Sequence, residues 1–239
     1  MEDKPQRVPL LISFSGVDGS GKSTQIEHLL ASLQARGFKT RLLAFWDDVV
    51  VGATYRESFV HRVFKSERGV GAPGKPVNRR DKNMRGWHLT LGRYLLYLLD
   101  AANLCRVAAG ERSRDASSVP DVIVFDRYLY DELVNLNLNN PLSRLFLKIV
   151  HRFVPRPDLA YLLDADPACA HARKPEYPVD FMIHCRQVYI DLAIMLGTMT
   201  VIPALGLNEA RQSVNAAAEP LLASIIRPAG EAPGKLSAA

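Results

Sequence analysis

One contiguous stretch constrains this chain more than any other. Gly16-Val17-Asp18-Gly19-Ser20-Gly21-Lys22-Ser23 has the spacing G-x-x-x-x-G-K-[ST]. An apolar run from Val8 to Phe14 leads in, and apolar residues at helical spacing run from Lys22 to Leu33, with Gly37 as a stop. A strand, a glycine-rich turn and a helix in this order form a phosphate cradle. Glycines let backbone N–H groups approach phosphate oxygens with no side chain in the way. The helix N-terminus adds free N–H donors and a partial positive charge. In this arrangement Lys22 reaches the outer phosphates of a nucleotide, and the Ser23 hydroxyl is offered to Mg²⁺. Gly16, Gly19, Ser20, Gly21, Lys22, Ser23 and Thr24 are therefore the candidate ATP-binding residues.

Thr40 to Trp46 reads as a second strand, which makes a βαβ unit and predicts a parallel sheet. Asp121–Asp126, Leu159–Asp164 and Thr198–Ile202 read as three more strands. Helices are expected over 87–109, 142–153, 168–174, 181–196 and 208–226. The segment 94–99 is apolar all round, which predicts a buried helix. Val49 to Val51 either extends the second strand or opens a loop, and 69–78 reads as a loop. The order predicts one three-layer α/β domain over 1–226, with a five-stranded parallel sheet flanked by helices. Residues 227–239, rich in Pro, Gly and Ala, read as a flexible tail.

Composition narrows the classes. The chain has 239 residues, 48% hydrophobic and 23% charged, with a formal charge of +5. This excludes a disordered chain, a collagen-like repeat and a disulfide scaffold. Cys105, Cys169 and Cys185 stand far apart with no CxxC, as expected of reduced thiols in a cytoplasmic protein. No stretch approaches the roughly 20 apolar residues that span a bilayer, so no membrane partner is expected. The basic run 78–85 either lines a ligand cleft or starts a solvated helix. It lacks the aromatic interleaving of a nucleic-acid surface, so no nucleic acid is expected.

Asp126-Arg127-Tyr128 closes the third strand. Ligands of parallel sheets bind beyond the carboxyl ends of the strands. Asp126 can thus sit near a metal at Ser23, and Arg127 can fork onto a phosphate. The alternative is a turn-capping Asp beside a solvent-facing Arg. Trp46 and Tyr128 either stack on a base or pack as core and rim. Asp47-Asp48 is either a solvated strand end or a carboxylate that takes the proton of a hydroxyl acceptor. A monophosphate acceptor, with its second pKa at about 6, needs no such base.

Three islands resemble the thymidylate kinases: Ser15 to Thr24 as the phosphate loop, Asp126-Arg127-Tyr128, and Pro157 to Pro167 as the fourth strand. Ala172-Arg173-Lys174 falls where the lid of that family begins. The resemblance implies a P-loop NTPase fold with a lid near 173–180. It also implies Mg²⁺-dependent transfer of the ATP γ-phosphoryl group to a small phosphorylated acceptor, most directly dTMP to dTDP. It gives Lys22 and Ser23 the ATP phosphates and metal, Asp126 the metal through water, Arg127 the acceptor phosphate, and Asp18 a place near acceptor and metal. Some family members carry an Arg inside the phosphate loop, where this chain has Gly19-Ser20. The transition-state cation is then expected from the lid, with Arg173 and Lys174 first and Arg186 next. A homodimer through the apolar helix 94–109 is implied too, although a buried core helix explains the same residues.

The chain departs from the family after the second strand, with Phe45-Trp46-Asp47-Asp48 in place of an Arg-Glu-Pro-like motif. It departs again after Asp-Arg-Tyr, where Leu129-Tyr130-Asp131-Glu132 stands in place of the usual Ser and Gln. These departures keep two other readings open. One is a kinase of a nucleoside or other small hydroxyl compound, with Asp47 or Asp48 as base and Trp46, Asp47, Arg127 and Tyr128 on the acceptor side. The other is a nucleotide-binding module that acts through a partner without catalysis.

Overall fold

Side chains that alternate along each strand divide the apolar residues between two faces of one sheet. The structure, a computed structural model, describes residues 8–52, 87–114 and 118–225. The expected loop 69–78, the basic run 78–85 and the tail 227–239 lie outside them. The strands are β1 (Leu10–Ser15), β2 (Thr40–Ala44), β3 (Val122–Asp126), β4 (Leu159–Leu163) and β5 (Met199–Ile202). All pairings are parallel, in the order β2-β3-β1-β4-β5. The predicted three-layer α/β fold is what the chain adopts.

The helices are α1 (Lys22–Ala35), α2 (Trp87–Arg112), α3 (Leu129–Leu133), α4 (Pro141–Phe153), α5 (Pro167–Arg173), α6 (Val179–Leu196) and α7 (Leu207–Ile225). Ile12, Phe14, Val122, Val124, Tyr161 and Leu163 point to one face, against α1 and α7. Leu11, Ile123, Phe125 and Ala160 point to the other, against α2 and α4. Strands buried on both faces read as continuous apolar runs, which is why the sheet is plain in the sequence. A third cluster joins Val17 and Leu162 to Ala170, Tyr177, Met182 and Tyr189, and so packs the α5–α6 region against the end of β1.

Phe14 and Asp126 are register partners on the adjacent strands β1 and β3. The phosphate loop and the Asp126-Arg127-Tyr128 turn therefore leave the sheet side by side, at its carboxyl end.

Two expectations need correction. The second strand stops at Ala44, and Phe45–Val49 forms one π-helical turn closed by the Val50 N–H donating to the Phe45 carbonyl at 3.0 Å. Phe45 and Val49 are buried there, so the turn takes them inward and leaves Trp46, Asp47 and Asp48 outside. The segment 94–99 is not buried all round. Tyr97 faces the core at 5% exposure, whereas Leu95, Leu98 and Leu99 are 57%, 46% and 52% exposed. A helix lying on a sheet buries one stripe only, and the other leucines of α2 stay outside.

Candidate active site

The phosphate loop is shaped by backbone that only glycine adopts without strain. Gly19 has φ 79°, and a Cβ there would overlap the Ala170 carbonyl of α5. Gly16 has φ 143°, and a Cβ there would stand 2.5 Å from the Leu163 carbonyl oxygen. The loop thus lies directly against the end of β4 and α5. Gly21, at φ 91°, caps α1, and Ser23 and Thr24 follow on its first turn, Ser23 exposed.

Lys22 is folded into this loop at 7% exposure. Its ammonium donates to the carbonyls of Gly16 at 2.8 Å and Val17 at 2.9 Å. Burial presses its pKa from the usual 10.5 to about 8, and the Arg127 guanidinium adds to this. Asp18, Asp131 and Asp126 pull the other way. One ammonium therefore senses the phosphate loop and the Asp126-Arg127 turn together. A bound phosphate would replace the two carbonyls as its partner and draw the pKa back up.

Above pH 8 the free protein loses the Lys22 proton, and with it the charge that meets a phosphate. ATP affinity is expected to hold constant below that pH and then fall, by up to about tenfold per unit. Calorimetric titrations from pH 7 to pH 9.5 check this, and a Lys22→Met variant is expected to show no such decline. For folding the sign is opposite. Between about 8 and 10.5 the unfolded chain holds more protons at this position. The penalty for burying the charge is therefore relieved as pH rises through that window.

Arg127 is the described non-glycine residue with positive φ, at 65°. Its N–H still donates to the Phe14 carbonyl at 3.0 Å, so the turn is fastened to β1. Its guanidinium pairs with Asp18 of the phosphate loop and stands 3.8 Å from Asp131. Burial disfavours its charge, but Asp18 and Asp131 outweigh that and hold its proton above the usual arginine range. Asp126 is half-buried at the same strand end.

The structure separates the other expected residues. Trp46 is 42% exposed, and Asp47 is exposed beside it on the π-helical turn. Asp48 is engaged, its carboxylate accepting the Ala44 N–H at 2.7 Å. Tyr128 is not an exposed stacking platform. It is fully buried, edge-on to Phe125, and its hydroxyl donates to the Pro155 carbonyl. The left-handed backbone of Arg127 turns the next side chain back into the core.

Arg173, Lys174 and Arg186, the cations expected of a lid, also part company. The Arg173 guanidinium donates to the Gly19 carbonyl at 3.0 Å, so it touches the phosphate loop. Lys174 pairs with Glu176 at 2.9 Å. Arg186 makes a two-pronged contact with Asp164, at 2.6 Å on each arm.

Sequence reasoning missed Gln25 and Asp131. Gln25 lies on α1 at 3% exposure; its amide N–H donates to the Leu207 carbonyl at 3.4 Å, while its oxygen has no partner. The Ser20 hydroxyl is likewise buried without a partner. Both line a cavity of about 190 Å³ with Asp164, Cys169, Arg173 and Leu205. Buried polar atoms are nearly always satisfied, so orphaned ones beside a cavity point to a polar ligand. Asp131 accepts hydrogen bonds from Ser15, Tyr128 and Tyr189. It lies in the 129–132 stretch that departs from the family pattern, and that departure does not single it out.

No protein-family model matches the chain. Curated relatives do. A thymidylate kinase of Bifidobacterium longum subsp. infantis is 29% identical over 194 residues, covering 77% of this chain and 74% of that protein. A probable thymidylate kinase of Methanothermobacter thermautotrophicus is 26% identical, covering 83% and 89% respectively. A probable thymidylate kinase of Archaeoglobus fulgidus is 22% identical, covering 89% and 96%.

Proposed function

We propose that this chain, thymidylate kinase-like in sequence and fold, is a nucleoside monophosphate kinase that transfers the γ-phosphoryl group of ATP to dTMP. The observation that carries the reading is the ion pair of Arg127 with Asp18, which joins the Asp126-Arg127 turn to the phosphate loop that holds Lys22, at the ends of two adjacent strands. A module that only holds nucleotide needs the loop; it does not need a second, oppositely seated guanidinium and carboxylate beside it. The names of the relatives supply the acceptor.

In this reading the ATP phosphates take the place of the Gly16 and Val17 carbonyls on Lys22. The adenosine enters the cavity beside Gln25 and Cys169, where the free Gln25 oxygen accepts a ligand N–H or hydroxyl. Arg127 grips the acceptor phosphate, and Asp18 holds Arg127 in place. Arg173 meets the charge that develops on the migrating group. The lid is the α5–α6 region near 173–180, within one kinase domain.

The residues suit Mg²⁺. That ion keeps several waters and takes one or two carboxylates plus substrate phosphates, so no closed protein cage is needed. Ser23, exposed at the first turn of α1, and the half-buried Asp126 would hold it. When bound it would neutralise phosphate charge. Transfer needs little more than positioning, since a monophosphate is already largely ionised at neutral pH.

A panel of nucleoside monophosphates and nucleosides with labelled ATP tests the acceptor. Labelled dTDP is expected, with little labelling of thymidine. A second reading, a hydroxyl acceptor, is favoured by one observation, the exposed Asp47 at the end of the π-helical turn. Asp48 is tied to Ala44 and is the poorer base. For a monophosphate acceptor, Asp47→Asn is expected to leave kcat within about threefold; a loss of the 10²–10⁴-fold that general bases supply favours the hydroxyl reading. ATP binding with no transfer to any acceptor favours the non-catalytic module.

The exposed leucines of α2 (Leu95, Leu98 and Leu99) fit a homodimer face, since clustered exposed apolar side chains favour contact surfaces. Sedimentation is expected to find a dimer, and Leu95→Glu a monomer. A monomeric wild type contradicts this. Among the described residues no helix is long and apolar enough to cross a membrane, and all three cysteines are free, which supports a cytoplasmic site of action.

A further inference from the structure

The Asp131 carboxylate caps its own helix through the Tyr128 N–H and also accepts hydroxyls from two distant elements, β1 and α6. Asp131 sits in the first turn of α3 at 6% exposure. One of its oxygens accepts the Ser15 hydroxyl at 2.7 Å and the Tyr128 N–H at 2.9 Å. The other accepts the Tyr189 hydroxyl at 2.7 Å and stands 3.8 Å from the Arg127 guanidinium. Ser15 is the last residue before the phosphate loop, and it is fully buried. Tyr189 lies on α6, the second helix of the proposed lid region, at 6% exposure.

Each bond constrains a part of the candidate site. The Tyr128 N–H is adjacent to the left-handed Arg127, so holding it pins a conformation that disfavours non-glycine residues by about 1–2 kcal/mol. The Ser15 bond ties that turn to the phosphate loop. The Tyr189 bond ties it to α6. The negative charge holds the second arm of a guanidinium whose first arm is on Asp18. A carboxylate with three neutral donors and a nearby guanidinium is satisfied on both oxygens, so it needs no ligand of its own.

We propose that Asp131 is a positioning residue that aims Arg127 at the acceptor phosphate and links it, through Tyr189, to the lid helix. The inference rests on the monophosphate reading of the acceptor. Movement of α6 when the lid closes on ATP would then be felt at Arg127, and ATP binding would sharpen the grip on the acceptor.

The test is a set of variants assayed with ATP and dTMP. Asp131→Asn keeps the shape and part of the hydrogen bonding but removes the charge. It is expected to raise the acceptor KM about tenfold and leave the ATP KM within about twofold. Tyr189→Phe is expected to shift the acceptor KM in the same direction by about threefold. In an Arg127→Met background, Asp131→Asn is expected to change nothing further, because residues acting as one unit are not additive. A role confined to stability would instead move both KM values and persist in that background. Hydrogen exchange needs no acceptor: Asp131→Asn is expected to speed exchange at 126–133 and in the phosphate loop, with α7 unchanged. An unaltered acceptor KM, an equal effect in the Arg127→Met background, or unchanged exchange overturns the inference. A wild type that phosphorylates no monophosphate overturns the proposed function instead, and hydrogen exchange then decides the positioning role alone.

Discussion

Lys22→Met is expected to lower turnover about a thousandfold while the fold survives, in line with the loss of a preorganised charge at a reacting group. The ammonium is aimed before any ligand arrives. It is buried inside the loop on two carbonyls, and a phosphate would exchange for these as its partner. Methionine has similar length and fills the same space. Two carbonyls lose a donor, at about 1–3 kcal/mol for each one left unsatisfied. Against this stands the relief of a buried charge whose pKa is already pressed down to about 8. The net effect on stability is therefore small, and a thermal melt is expected to shift by only a few degrees. Steady-state kcat beside circular dichroism checks both halves. Turnover near the wild-type level contradicts the role.

Arg173→Ala carries the second large expectation, a fall in kcat of about a thousandfold, the lower end of the range for a transition-state arginine. This chain has Gly19-Ser20 where some thymidylate kinases place an arginine, so on the proposed kinase reading the cation is expected from elsewhere. Of the three lid cations, only Arg173 has a hydrogen bond to the phosphate loop among the described residues. Its side chain is exposed and touches a loop carbonyl rather than a carboxylate, so it can turn toward a phosphoryl group without breaking an ion pair. Lys174 and Arg186 would each have to leave one. ATP affinity is expected to change by about threefold or less, because a cation that acts in the transition state adds little to ground-state binding. Lys174→Ala is expected to stay within about twofold of wild type, because its ammonium is engaged by Glu176. Equal losses in both variants, or a loss only at Lys174, contradict the assignment.

What the sequence disclosed depended on whether the relevant partners are neighbours along the chain. The sheet was legible because buried strands such as Val122–Phe125 are apolar without interruption. The phosphate loop was legible because its chemistry is contiguous. Which of its two readings Tyr128 takes was not legible, because its direction follows from the left-handed backbone of Arg127, which no periodicity announces. The leucines of α2 show that an all-apolar pattern does not say which face meets the sheet. Asp131 was invisible as a site because its partners Ser15 and Tyr189 lie 116 and 58 residues away. Gln25 looked like one more polar residue of a helix until the cavity beside it was seen.

The fate of the γ-phosphoryl group tests the central claim most directly. With ATP labelled at that position, Mg²⁺ and dTMP, the purified chain is expected to produce labelled dTDP at a rate proportional to enzyme, and the Lys22→Met variant almost none. Label that stays in ATP, or that passes to thymidine and not to dTMP, contradicts the account.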